Sequence, residues 1–167
     1  MKEGIATLLL SLGLFISSIP SGAEVDKLPL YERVNRSDLI VIGTVINKES
    51  RWHKDKARSI RTYVTISPKE YIKGWSQLRE LTIVLPGGVI EEEHIEQHIF
   101  QDIPQFAIGE EVLVMLRALP ESVDYAVVNS IYGKFTFLKD GRKTGEDQTK
   151  KDLINKIKAA MAGHQVK

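Results

Sequence analysis

Residues 39 to 46 read Leu-Ile-Val-Ile-Gly-Thr-Val-Ile, an apolar run dense in β-branched side chains and broken by one glycine. A continuous run, rather than an alternating one, predicts a strand buried on both faces over its first half. Gly43 inside it predicts a bulge or a sharp coil, the device that lets one strand serve two sides of a small barrel. A similar run, Val-Leu-Val-Met-Leu at 112 to 116, predicts a short, fully buried strand.

The intervening and following segments are of a different character. Ile60, Thr62, Val64 and Ile66 alternate with Arg61, Tyr63, Thr65 and Ser67, the period of a strand with one wet face, which Pro68 is expected to interrupt. Leu81, Ile83 and Leu85 give a third strand, closed by the turn signal Pro86-Gly87-Gly88. Residues 125 to 128 and 134 to 138 supply two more, separated by Gly133 and followed by an Asp140-Gly141 turn. Residues 50 to 58 form a charged hairpin tip, and residues 89 to 109 a long loop with one helical turn. Six strands with turn signals at short spacing predict a small antiparallel sandwich or barrel.

Helical signals lie at the two ends. Leu30 to Arg36 reads as a short helix after Pro29. Thr149 stands three residues before Asp152, a capping-box-like start, and Leu153, Ile154, Ile157, Ala160 and Met161 share one helical face before Gly163. Such a helix is expected to cover an open end of the barrel.

Residues 1–23 carry Lys2, an apolar run from Ile5 to Ile16 and a small-residue close at Ser21-Gly22-Ala23. About a dozen apolar residues suit an export leader and fall short of the roughly 20 needed to span a bilayer. The reading is a secreted or periplasmic protein, cleaved after Ala23, with no stable membrane span afterwards. The chain has no cysteine, so disulfides, thiolate metal sites and thiol catalysis are all excluded, and the core must hold the fold unaided. Lys and Arg number 23 against 22 Asp and Glu, a balance that argues against nucleic acid as a partner.

Three constellations bear on chemistry. His94 and His98 stand at i and i+4, which on a helix would turn both imidazoles toward one metal ion, with Glu92, Glu93 or Glu91 as a further ligand. Ile95 follows the first histidine where a zinc protease has its glutamate, so that motif lacks its general base. Arg51 and Trp52, beside Lys54 and Lys56, could grip an anionic polymer by stacking and charge. Neither a Gly-x-Ser-x-Gly elbow nor a phosphate loop occurs, so a non-enzymatic role without a cofactor is expected.

Four stretches together resemble the netrin-like module, the OB-type barrel of the tissue inhibitors of metalloproteinases, and more closely its cysteine-free exported bacterial relatives. They are residues 37 to 45, Tyr71-Ile72-Lys73-Gly74, residues 81 to 88 and residues 106 to 116, with an echo at Tyr132-Gly133-Lys134-Phe135. The resemblance implies a mainly β fold, a small OB-like antiparallel β-barrel with a C-terminal helix. On that reading residues 24–36 are a lead-in, 37–145 the barrel and 146–167 the helix and tail. The animal inhibitors reach their target zinc through a mature N-terminal cysteine; here Glu24 would begin the mature chain, and no inhibitory residue carries over. The expected function is an exported, non-catalytic module that recognises an extracytoplasmic protein or polymer through barrel loops. The alternatives are a metalloprotease inhibitor or partner, and a weak metal-binding protein or hydrolase using His94 and His98.

Overall fold

The computed structural model describes residues 25–53, 59–97, 102–138 and 149–163. The expected leader therefore lies outside the described residues, as do Glu24, Lys54, Lys56, His98 and the expected boundary at 145/146. A short helix, α1 (Leu30–Asn35), leads into β1 (Leu39–Trp52), β2 (Ile60–Lys73) and β3 (Leu81–Pro86). A small hairpin follows, β4 (Gly88–Ile90) and β5 (Ile95–Gln97), turned by the 3-10 segment Glu91–Glu93. Then come β6 (Glu111–Ala118), β7 (Tyr125–Val127), a 3-10 turn at Ser130–Gly133, β8 (Lys134–Thr136) and α2 (Lys150–Met161).

Five strands close into a barrel in the order β1, β2, β3, β7, β6 and back to β1. The fold is mainly β and OB-like, as the strand pattern and the resemblance imply. A ring of five cannot alternate direction all the way round, so one pairing must be parallel. It is the β3 to β7 pairing, made at Ile83 and Tyr125, and the other pairings of the ring are antiparallel. Strand β6 divides its second edge, giving Leu116 to Ala118 to β7 and Val112 to Val114 to β8.

The two continuous apolar runs lie side by side, Leu39 opposite Leu116 through Thr44 opposite Glu111. Successive residues of a strand point to opposite faces, so this shared wall feeds two hydrophobic layers. Leu39, Val41, Val45, Val112, Val114 and Leu116 fill the barrel with Val64, Ile66, Leu81, Ile83, Leu85 and Phe106. On the outside, Ile40, Ile42, Leu113 and Met115 meet Val34 of α1, Phe135, Phe137 and, from α2, Leu153, Ile157 and Ala160. Each fully buried Ile, Leu or Met adds about 1.5–3 kcal/mol to this packing. The helix α2 thus lies along a barrel wall and not over an open end, because that wall presents a second apolar stripe, which α2 covers together with α1, Phe135 and Phe137.

Local devices fix these pieces. The capping box of α2 is complete: Thr149 Oγ1 accepts from the Asp152 N–H at 3.1 Å, and the Asp152 carboxylate accepts from the Thr149 N–H at 3.3 Å. Lys150 Nζ then reaches Glu111 Oε1 on β6 at 2.8 Å. Lys73, from the Tyr-Ile-Lys-Gly stretch, caps α1 by donating to the carbonyls of Val34 and Ser37, each at 2.6 Å.

The coil expected at Gly43 is present. The β1 to β2 register shifts between Ile42 and Gly43, and a Cβ at Gly43 would lie 2.5 Å from Ile66 Cγ2 and 2.6 Å from the Ser67 carbonyl oxygen. Pro68 sits opposite Gly43 and does not end its strand, which runs on to Lys73. A proline fixes φ and takes an N–H out of the ladder, and here both fall where the ladder is already irregular. Gly43→Ala is expected to cost about 2 kcal/mol by forcing the two strands apart. Thermal unfolding followed by circular dichroism should show a midpoint lower by roughly 5–10 °C.

Candidate functional site

Beyond Val45, β1 pairs with β2 alone, and the two strands continue as a ribbon past the barrel wall. The β4–β5 hairpin packs against the inner side of that ribbon. Between them and the segment 103–105 lies a groove of about 740 Å³, within the range of small-ligand sites. Ser50 and Thr62 form its floor, Leu85 to Ile90 one wall, Glu91, Glu92, Glu96 and Gln97 the hairpin side, and Ile103 to Gln105 the third wall; Lys48 and Glu49 stand at the rim.

The floor is built from hydroxyls held close to the backbone. Buried Thr62 Oγ1 donates to the Gly87 carbonyl at 2.8 Å and lies 2.9 Å from Ser50 Oγ. Gly88, at φ 146°, rests directly on this pair; a Cβ there would come within 2.4 Å of Ser50 Oγ and 2.5 Å of Thr62 Oγ1. Two further bonds fasten the hairpin: Gln97 Oε1 accepts from the Ile60 N–H at 2.6 Å, and Trp52 Nε1 donates to Glu93 Oε1 at 3.1 Å.

The third wall hangs from a polar cluster beneath it. Lys134 Nζ donates to both carboxylate oxygens of Glu110, at 2.8 and 2.9 Å, and to the Gln105 carbonyl, while lying 4.7 Å from the centroid of the Phe106 ring. Glu110 also accepts from Thr136 Oγ1 at 2.5 Å and from the Ala107 N–H at 3.1 Å. Burial opposes ionisation of Glu110, but the hydrogen bonds from Lys134, Thr136 and Ala107, with the Lys134 charge, outweigh it and hold the carboxyl below its ordinary value.

Arg51 and Trp52 both have partners within the chain. The Arg51 guanidinium stacks on Tyr63, 4.0 Å from the ring centroid, and pairs with Glu49 at 3.3 Å; Trp52 holds Glu93. Lys54 and Lys56 lie outside the described residues. His94 corrects the helical expectation. It sits at φ 53° after the 3-10 segment, its N–H donates to the Glu91 carbonyl at 3.2 Å, and residues 95–97 are a strand. The segment forms a hairpin, Ile90 opposite Ile95 and Gly88 opposite Gln97, so no helical face carries His94 toward position 98, which is not described. Glu92 lines the groove and Glu93 serves Trp52. Among the described residues, no three His, Asp or Glu side chains gather as metal ligands.

The groove brings together hydroxyl, amide and carboxylate groups around an apolar strip. Such a surface orients a ligand by hydrogen bonds while burying part of it. The site roles of Thr62, Gln97, Glu110 and Lys134 escaped the sequence reading, since each is an ordinary strand or loop residue, and the bonds Thr62–Gly87, Gln97–Ile60 and Lys134–Glu110 each span 24 or more positions. No protein-family model matches the chain, and no curated protein matches it in sequence.

The Glu110 pair has a defined pH signature. The folded-state value lies below the ordinary 4.5, so the stabilisation is fully present above that value and is lost as the pH falls through the folded value. Glu110→Gln should cost about 2 kcal/mol at neutral pH and progressively less toward pH 3. Urea unfolding of both proteins across this range measures the difference; a constant gap would remove the assignment.

Proposed function

We propose that this chain is an exported, non-catalytic binding module whose groove takes an extracytoplasmic protein or polymer segment. The observation that carries the reading is the groove itself, bounded by the ribbon, by the β4–β5 hairpin and by residues 103–105. Its floor hydroxyls and hairpin are fixed by hydrogen bonds before any ligand arrives, which lowers the ordering cost of binding. Export is supported by residues 1–23, and the chain's near-neutral charge favours recognition by shape and local hydrogen bonds over bulk charge.

A photo-crosslinking residue at Val89, exposed in the groove, and a control at Val123, exposed in the β6 to β7 connection, test the reading in the cells that export the protein. An adduct of defined mass from position 89 and none from 123 is expected. Equal labelling at both, or none at either, would overturn it.

One observation favours a second reading, a metalloprotease inhibitor or partner. The Val25 N–H, two residues past the expected cleavage point, donates to the Asp102 carboxylate at 2.9 Å, beside the third wall of the groove. That contact ties Val25 to the segment that forms the third wall, which supports a reading in which the expected mature N-terminus lies near the groove. The mature chain, beginning at Glu24, should then slow a metalloprotease of the same exported fraction at near-equal concentration. Unchanged cleavage removes this reading.

A further inference from the structure

The third wall of the groove, Ile103 to Gln105, belongs to no strand; Ile103 packs against the barrel core and Pro104 is buried, while polar contacts hold the two ends. At one end the Asp102 carbonyl accepts from Ser130 Oγ and the Asp102 carboxylate from the Val25 N–H. At the other, Lys134 holds the Gln105 carbonyl. Asn129, next to Ser130, holds the N-terminal segment by two more bonds. Its Oδ1 accepts from the Leu28 N–H at 2.9 Å and its Nδ2 donates to the Asp26 carbonyl at 2.9 Å.

An amide that accepts from one N–H and donates to the carbonyl two residues earlier offers a chain what a neighbouring strand would offer. Asn129 therefore reads residues 26–28 through their backbone, while Lys27 Nζ lies 5.7 Å from the Tyr132 ring centroid. Asn129 and Ser130 stand at φ 56° and 54°, two successive non-glycine residues in the left-handed region. Such backbone persists where its surroundings over-determine it. Here the surroundings are two segments far apart in sequence, residues 26–28 and Asp102, held by the two side chains.

We infer that residues 25–28 act as a strap, clasped by Asn129, which positions Asp102 and through it the third wall of the groove. Asn129 is a positioning residue that lies outside the groove lining. The strap's functional meaning rests on the groove reading, but its mechanical consequence does not.

The absence of native cysteine makes the test direct. Spin labels on cysteines introduced at Lys48 and Gln105, both exposed and both lining the groove, report the distance between the ribbon and the third wall by pulsed electron resonance. A control pair at Glu80 and Arg117 reports the barrel. Asn129→Gly keeps the left-handed backbone and deletes the amide. It should broaden the 48 to 105 distance distribution about twofold and leave the control pair narrow. A mature chain starting at Pro29, without the strap, should broaden it equally. An unchanged distribution in either protein would overturn the inference. If Asn129→Gly broadens the control pair as well, Asn129→Asp, which keeps the acceptor for Leu28 and loses the donor for Asp26, decides: a 48 to 105 width equal to wild type overturns the inference, and selective broadening supports it. The adduct from position 89 reports the groove's function separately, so the two readings fail independently.

Discussion

Strand β1 has to satisfy two neighbours and two hydrophobic layers at once, and the rest of the molecule follows from how it does so. Over Ile40 to Thr44 both of its edges are paired, with β2 and with β6, and both of its faces are covered. No free edge is left there to recruit another chain. The crowding is extreme at Gly43, where the partner strand comes closer than any side chain would allow. That approach lets the ring close with five strands, and closure in turn creates the wall on which both helices lie.

The groove is a by-product of unequal strand lengths. β1 and β2 each run 14 residues while β6 runs 8, so the ribbon outreaches the wall that supports it. Its inner face is too polar to join the core and too extended to stand alone. The β4–β5 hairpin covers part of it through Thr62, Gln97 and Trp52, and the uncovered remainder is the groove. Polar anchoring continues at the third wall, where Glu110 and Lys134 form an ion pair largely withdrawn from solvent. A pair of that kind adds little net stability over apolar packing, but breaking it is costly, so it specifies one arrangement of the loop above it.

What could be read in the sequence was whatever periodicity and local chemistry encode. The run at 39 to 46, the run at 112 to 116 and the alternation from Ile60 predicted a closed β core, and Thr149 with Asp152 predicted the start of α2. The misreadings share one cause, the overriding of local signals by distant partners. Pro68 looked like a strand end because its tolerance depends on a bulge set by Gly43. Glu91 to Gln97 looked like loop or helix because a three-residue hairpin strand has no period to detect, and its register depends on the ribbon beneath it. The groove has no signal in the sequence, since Thr62 and Gln97 become a floor and a fastener only after the ribbon folds back. Asn129 and Ser130 signalled a turn at most, for nothing local ties them to residues 25–28.

The wall shared by β1 and β6 also depends on what covers its outer face. With α2 in place, Ile40, Ile42, Leu113 and Met115 are sealed beneath Leu153, Ile157 and Ala160. A chain ending before Thr149 would keep its closed ring but bare this apolar plane to water, and a plane of that kind associates with its like face to face. Helix α2 therefore acts as a cover for this plane, and a cut that released it would leave the plane open to association.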